Sequence, residues 1–428
     1  MQFSATLRRL ANQADEAVVL KKTSPSGHIR CLQALLYTLG YGGQMNWPVY
    51  RADGDYGGGT TRALQAFFDN NKLTGDPSSL TAAELAALLD AHDRLLQLRR
   101  STAGQQASQQ VMQGLGPDWA DTRLEGDPPQ DKDEQVASSA NGHRAADFWI
   151  SVKLRPHQSG VYNVGDELAL DFIESHQAEL RGAGLSDSAV RVITPVSANE
   201  GNLNGINTWD NCFLTFGMFQ WTLGQGGGAG ELPALLQRLQ QDAPDAFAQY
   251  FGRYDIGLTD TNQTTGYLTL NGQKVNSSAE KEQFRARPDW AFRFWRAGLD
   301  PAVQLVQVKH ALDRINSFWR HPDYRPLGKF FIADLVTSEY GLCLLLDHHV
   351  NRPGHLMNYA IGKKDIIGQA LKKANLENSD PSQWDTATER RLIEAYLPLR
   401  ASSSMTHGAD RAKKIKAYLT KGKLSDER

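Results

Sequence analysis

Cysteine is scarce. The 428 residues hold three, Cys31, Cys212 and Cys343, far apart, with no CxxC and an odd number that leaves one thiol over. That usage argues against a disulfide framework and fits a reducing compartment. Long apolar runs are missing as well: stretches such as residues 342–346 fall far short of the ~18 consecutive residues that a membrane span requires. A soluble chain with no membrane insertion is expected. Charge of one sign is also lacking, since 46 Lys and Arg against 48 Asp and Glu leave a formal charge of -2. A protein built to neutralise phosphates would be far more basic, so no nucleic-acid partner is expected. Nor do the first residues show a basic segment followed by an apolar core, which leaves no readable cleaved signal and implies synthesis in the cytoplasm.

What is present is a composition for globular folding, 40% hydrophobic and 22% charged. At ~100 to 200 residues per domain the length suits two domains, or one small module and one large one. Apolar residues recur at helical spacing in Ile29, Leu32, Leu35, Leu36 and Leu39, and again in Ala63, Leu64, Phe67 and Phe68. A third helix opens at Thr81, where Glu84 three residues later has the form of a capping box. From about 100 to 145 the chain turns to Gln, Ser, Ala, Gly and Asp with little periodicity, which predicts a flexible linker. The boundaries that follow are 1–100 for the small helical domain, 101–145 for the linker and 146–428 for a larger domain with a C-terminal helical extension. Within the larger domain one helix is expected through Leu168, Phe172, Ile173 and Leu180, and another through Val190 and Ile193. A long one runs from Asp300-Pro301 to Trp319. A hairpin is expected at residues 267–272, entering an Asn-Gly turn. The fold class is mainly α, with a short β-hairpin in the larger domain.

The most specific local pattern runs from Asp53 to Phe67, DGDYGGGTTRALQAF. It requires glycine at positive φ, and it places Thr60 to cap a helix whose Ala, Leu and Phe face inward. With Leu32-Gln33 and Leu39-Gly40-Tyr41 it resembles the three-helix peptidoglycan-binding module, over roughly residues 20 to 98. Gly58 stands where that family often has proline, Phe68 where it usually has glutamine, and residues 44–49 lengthen the preceding loop. The resemblance implies that Asp53, Tyr56, Gly57 and Thr60 lie near the surface that meets the wall. Glycine and capping positions also serve backbone geometry alone.

The second informative stretch begins at Glu200, a single carboxylate at the end of an apolar helical run, followed by glycine, asparagine and aromatics. Desolvation there would raise its pKa and let it protonate a leaving glycosidic oxygen near neutral pH. Trp209, Phe216, Phe219 and Trp221 could stack on sugar rings. This segment resembles the catalytic region of the lysozyme-like superfamily, which includes phage lysozymes and lytic transglycosylases. On that resemblance Glu200 is the general acid and Gln220 lines the cleft in a Gly-x-x-Gln segment. Asp210 and Thr215 position the attacking water, each one residue off the family's spacing. Residues 347–354 resemble a D-x-x-V-N-x-x-G helix end, which implies that Asn351 meets a sugar N-acetyl group.

Each of these residues has a plainer reading. Glu200 could solvate a helix end, Asp210 could form a turn, and Glu339, a reserve carboxylate, could be an ion-pair partner. Cys212 could be a nucleophile or a small buried hydrophobe. The glycine run 224–230 lacks the Lys-Ser/Thr of a phosphate loop and reads as a flexible cleft edge. His348, His349 and His355 invite zinc, but adjacent histidines diverge on a helix and no HExxH is present, so neither metal nor cofactor is expected. The expectation is a monomeric peptidoglycan hydrolase that reaches the periplasmic wall as a phage endolysin or as a delivered effector with an immunity protein. Alternatives are a lytic transglycosylase, a chitosanase-like hydrolase and a non-catalytic wall anchor.

Overall fold

In a computed structural model of the chain the described residues are 3–100, 115–125, 133–139, 142–356 and 365–428. The protein is mainly helical with some sheet. It divides into two compact units, Met1–Asp166 with Ala286–Phe292, and Glu167–Arg285 with Arg293–Arg428.

In the first unit the expected helices are Ser26–Leu36, Gly58–Asn71 and Ala82–Arg100. Their apolar stripes form the core: Leu32, Leu35, Leu36, Leu64, Phe67, Leu85 and Leu88 are all buried. The capping box at the third helix is made from both sides, with the Thr81 N–H donating to Glu84 Oε2 at 2.7 Å and the Glu84 N–H to Thr81 Oγ1 at 3.3 Å. The second helix starts differently from expectation. Gly57 is its N-cap and Thr60 lies inside the first turn, where the Thr60 hydroxyl donates to the Asp55 carbonyl at 3.3 Å. The Gln33 amide takes the organising role. Its Nε2 donates to Asp53 Oδ1, the Asp55 carbonyl and Thr60 Oγ1 at 2.9, 3.1 and 3.1 Å, and its Oε1 accepts from the Gly54 N–H at 2.9 Å. One buried side chain thus replaces the water that an isolated loop would need for its backbone groups.

The expectation of a flexible linker over 101–145 needs correction where that stretch is described; residues 101–114, 126–132 and 140–141 lie outside the described residues. Residues 115–122 are pinned to the end of the first helix. Gly40 has φ 91°, and a Cβ there would come within 2.5 Å of the Trp119 nitrogen, while the Gly116 N–H donates to the Leu39 carbonyl at 2.7 Å. Arg99 adds hydrogen bonds to the Thr122 and Ala120 carbonyls at 2.7 and 2.9 Å. Strands Gln135–Ser139, Gly142–Ala146, Ser151–His157 and Gly160–Asn163 then form an antiparallel meander. Its Trp149 joins Tyr37 and Trp47 in an aromatic cluster. Backbone hydrogen bonds and two glycines order this stretch, and apolar periodicity does not report on either.

The second unit is built around the helix Glu339–Asn351, which buries residues on every side, among them Leu344, Leu345, Leu346, Asp347 and His348. Ser338 caps it, accepting the Gly341 N–H at 3.0 Å. The buried Glu389 carboxylate accepts the Thr337 and Ser338 N–H groups at 3.0 and 2.9 Å, where the helix dipole favours an anion. The expected helix through Leu168 and Leu180 is two, Ala169–Ser175 and Gln177–Gly182, and Leu168 precedes the first as its exposed N-cap. The helix from Pro301 ends at Asp313, with a separate turn Asn316–Trp319. The Asn-Gly hairpin is present: Tyr267–Leu270 pairs with Gln273–Lys274, and Asn271 and Gly272 take φ 51° and 75°.

Replacing Gln33 by Leu keeps the bulk but strands the buried Gly54 N–H and takes a donor from Asp53, the Asp55 carbonyl and Thr60, so the first unit should lose about 1–3 kcal/mol. Denaturant titration of the two chains measures this, and an unchanged midpoint would show that the loop is held without the amide.

Candidate functional site

The helix Asp187–Ser197 begins at Ser186, whose hydroxyl accepts the Ala189 N–H at 3.1 Å, and it carries an apolar inner face of Val190, Ile193 and Val196. Glu200 follows two residues beyond its C-cap. The next residue, Gly201, donates its N–H to the Met218 carbonyl at 2.9 Å, which seats the helix end on the turn between the short strands Thr215–Phe216 and Trp221–Thr222. A Cβ at Gly201 would stand 2.9 Å from Gln220 Nε2, so the expected Gly-x-x-Gln segment does lie against the residue beside Glu200. Gln307, buried on the helix Pro301–Asp313, fastens both sides of this junction. Its Nε2 donates to the Leu203 carbonyl at 2.8 Å and its Oε1 accepts the Met218 N–H at 3.1 Å.

The Glu200 side chain is 12% exposed and is paired with Arg411 from the helix Gly408–Thr420. Arg411 also donates through Nη2 to Asp347 Oδ1 at 2.6 Å and through Nε to Asp347 Oδ2 at 3.1 Å. Its Nη1 reaches the Asn199 carbonyl at 2.9 Å. Asp347 and Arg400 have no solvent exposure and are paired with each other. Arg400 further donates to the Leu344 carbonyl at 2.6 Å. The four charges therefore run Glu200, Arg411, Asp347, Arg400. Burial pushes the Glu200 carboxyl up to about 7, Arg411 opposes this, and the negative charge of Asp347 adds to it. Arg411 is divided between two carboxylates, so it cannot hold Glu200 in its charged form as a dedicated partner would. Near neutral pH this group can give or take a proton.

Asp210 and Thr215 come together, Thr215 Oγ1 donating to Asp210 Oδ2 at 3.5 Å. The Asp210 carboxylate also accepts from Asn207 Nδ2 at 2.9 Å and from the Cys212 N–H at 2.8 Å, so it forms the turn as well. Among the aromatics only Trp209 is half-exposed. Phe216, Phe219 and Trp221 are 0, 5 and 1% exposed, with Phe216 against Phe294 and Trp221 against His310. Placed in the core, these three cannot offer a face to a sugar as the sequence reading expected. The short hairpin turns Phe216 and Trp221 toward neighbouring helices instead, and Phe219 packs on Trp221. Asn351 is half-buried and accepts the Thr406 N–H at 3.1 Å, which ties down the loop ahead of Arg411.

The plainer readings hold for several other residues. Glu339 pairs with Arg191 at 2.6 Å. Burial disfavours its charge, yet Arg191 and hydrogen bonds from Ser188 and Ser425 hold it below the usual carboxylate range. Burial and the Asp210 charge push the Cys212 thiol up, away from a thiolate nucleophile. The glycine run is pinned by the buried Lys281, whose Nζ donates to the Gly224 and Gly228 carbonyls at 3.0 and 2.6 Å. In the first unit Tyr56 and Thr60 are 4 and 2% exposed. The Tyr56 hydroxyl donates to the Pro77 carbonyl at 3.0 Å, Asp53 accepts from Gln33, and Gly57 starts the helix. These four residues shape the loop.

Arg411, Arg400 and Gln307 were not singled out in the sequence. Arg411 lies in a basic stretch whose composition matches a solvated tail, Arg400 follows an apolar run, and no spacing relates either to Glu200. Compared with known protein families, with curated proteins and with solved structures, the chain matches none.

The raised Glu200 has a thermodynamic consequence. In the unfolded chain its proton leaves near the ordinary 4.5, in the folded chain at about 7, so the folded state loses stability as pH rises between those values. Glu200→Gln should therefore raise the melting temperature at pH 8, by up to roughly 3 kcal/mol in free energy, and leave it nearly unchanged at pH 4. Equal effects at both pH values would show that Glu200 does not titrate in this interval.

Proposed function

We propose that the protein is a peptidoglycan hydrolase that cleaves the β-1,4 bond between N-acetylmuramic acid and N-acetylglucosamine. The observation that carries this reading is one mostly buried carboxyl, Glu200, at a helix end beside an arginine that it shares with Asp347. An acid catalyst must keep its proton until substrate arrives and must tolerate the charge it then acquires. Glu200 would pass its proton to the glycosidic oxygen as the bond to the anomeric carbon breaks. Arg411 is already in place for the carboxylate that results, so little reorganisation is needed as charge develops. A water held by Asp210 and Thr215 would then add to the oxocarbenium-like carbon and give up its proton to Asp210.

The first unit would serve as a three-helix wall-binding module and the second as a lysozyme-like domain. Linking them raises the concentration of glycan at the second unit without any new catalytic contact. Synthesis in the cytoplasm and export as an endolysin or delivered effector belong to the same proposal.

A second reading has a specific observation in its favour. Asp210 already accepts hydrogen bonds from its own turn, which would leave Glu200 to act as both acid and base. The muramoyl 6-hydroxyl would then attack in place of water, returning its proton to Glu200, as in a lytic transglycosylase.

Purified wall clarified by the native chain should lose clearance by at least about a hundredfold with Glu200→Gln, and equal rates would sink the enzymatic reading. Mass spectrometry of the fragments separates the two routes, reducing ends marking hydrolysis and anhydro ends the transglycosylase. Because the acid must be protonated, kcat/KM should fall as pH rises above about 7. A profile flat to pH 9 would remove Glu200 from the acid role.

A further inference from the structure

The four residues of the first unit that the sequence marked for wall contact are occupied within their own loop, which leaves the binding surface of that unit unassigned. Arg51, just ahead of the loop, has a different character. Its backbone takes φ 52° and ψ -153°, a region open to glycine and strained for other residues. The fold imposes this conformation from both sides. The Arg51 N–H donates to the Trp47 carbonyl at 3.0 Å, and the Tyr50 carbonyl accepts the Ser151 hydroxyl at 2.5 Å. Ala52 donates its N–H to the Trp149 carbonyl at 2.8 Å and accepts the Ser151 N–H at 3.4 Å.

The Arg51 side chain is half-buried, yet among the described residues none gives its guanidinium a hydrogen bond or an ion pair, and its Nε is buried with no partner. Its Cζ lies 5.6 Å from the centre of the Phe148 ring, which the Arg123 guanidinium covers at 3.9 Å. Arg123 holds Asp133 through two bonds of 2.7 and 3.1 Å, and Asp147 accepts the Trp149 and Ile150 N–H groups at 2.8 and 2.9 Å. Both nearby carboxylates are thus engaged by other groups. Burial lowers the Arg51 pKa, the charges of Tyr37, Asp147 and Asp133 oppose this, and Arg123 adds to it. A second arginine is in a similar condition. Arg144, with its Cζ 4.9 Å from the centre of the Tyr50 ring, has the Ser151 hydroxyl at 3.3 Å as its acceptor and no carboxylate among the described residues. Val49 and Tyr50 are 46 and 41% exposed.

A residue that strains its backbone and makes no hydrogen bond through its side chain is not explained by stability, and strain of this kind gathers at ligand sites. The planar guanidinium fork matches the oxygen pair of a carboxylate or a phosphate. Charge balance separates the two. Arg51, Arg123 and Arg144 against Asp133 and Asp147 leave one net positive charge, which suits a carboxylate and falls short of a phosphate carrying about 1.5 to 2 negative charges. Beside the cations the surface is apolar, through Val49 and the Tyr50 ring, so it suits a carboxylate that stands next to a methyl group or a sugar face.

We propose that Arg51, with Arg144 and Tyr50, forms a carboxylate-binding site on the first unit, and that its ligand is the peptide of peptidoglycan, whose terminal alanine sets a carboxylate beside a methyl group. The choice of ligand rests on the wall-binding reading of this unit, and the carboxylate site rests on the unpaired guanidinium. Binding would supply Arg51 with the acceptors that the fold withholds.

Calorimetric titration of the full chain with N-acetylmuramyl tetrapeptide should show binding that weakens about tenfold or more in Arg51→Gln, and that is lost when the carboxylates of the peptide are amidated. In nitrogen-15 spectra the arginine Nε–H signal that Arg51→Gln removes should be the one that shifts. Arg51→Gly relieves the backbone, so it should melt no lower than the native chain and bind as weakly as Arg51→Gln. A lower melting temperature would assign Arg51 to the fold and overturn the proposal, as would equal affinity for the free and amidated peptides or equal affinity of the native chain and Arg51→Gln. Inorganic phosphate bound as tightly as the tetrapeptide would overturn the carboxylate assignment. If the chain sediments with purified wall but does not bind the tetrapeptide, this inference fails and the wall-binding reading stands. If the tetrapeptide binds through Arg51 but intact wall is not bound, the wall-binding reading fails and the carboxylate site stands.

Discussion

A carboxylate without solvent access cannot stay charged unless cations and donors come to it, and Asp347 gathers two arginines from different segments of the chain. The cost of taking those groups out of water is several kcal/mol per ion and is repaid only when geometry is near ideal. Asp347 meets that condition: Arg400 and Arg411 both reach its oxygens, and Asn199 Nδ2 adds a donor at 3.2 Å. Removing either cation would leave Asp347 with the other alone and take a charged partner from a carboxylate that has no water to replace it. The helices Glu339–Asn351, Thr386–Ala401 and Gly408–Thr420 are thus held in relation by electrostatics as well as by their apolar faces. Glu200, at the edge of this arrangement, receives what remains of Arg411.

The same device recurs at smaller scale. In the first unit a neutral amide, Gln33, organises a glycine-rich loop, and in the second Gln307 and Lys281 do so by bonding to backbone groups. Loops rich in glycine pay a large entropic cost on ordering and offer few apolar contacts in return. A buried polar side chain that satisfies several backbone groups at once is one of the few ways to hold them. Such residues are costly to misplace, because the groups they serve have no water to turn to.

The contrast between the aromatics and the charges near Glu200 bears on how a ligand would be held. Phe216, Phe219 and Trp221 are spent on packing, so in the proposed hydrolase recognition of a sugar would fall to Trp209, to backbone groups and to the polar edge around Gln220. A site of this kind distinguishes ligands through hydrogen-bonding groups more than through apolar area, and a buried polar partner left unmatched penalises the wrong ligand strongly.

Local order was legible in the sequence because its causes are local. The helical stripes at Leu32 and Leu64, the Thr81–Glu84 box, the Asp300 cap and the Asn271–Gly272 turn each depend on residues a few positions apart. The placement of a carboxyl at the end of the Asp187–Ser197 helix was legible for the same reason. The upward push of burial on its pKa was expected there too, but the charges that modulate it were not. Arg411 lies 211 positions from Glu200, and Asp347 lies 148 from Asn199. No periodicity or motif relates residues at such separations, and a basic tail and a helix end carry the same composition whether or not they meet. Only the folded chain decides which cation a buried carboxylate receives, since that choice is made by helix packing across distances the sequence pattern does not encode.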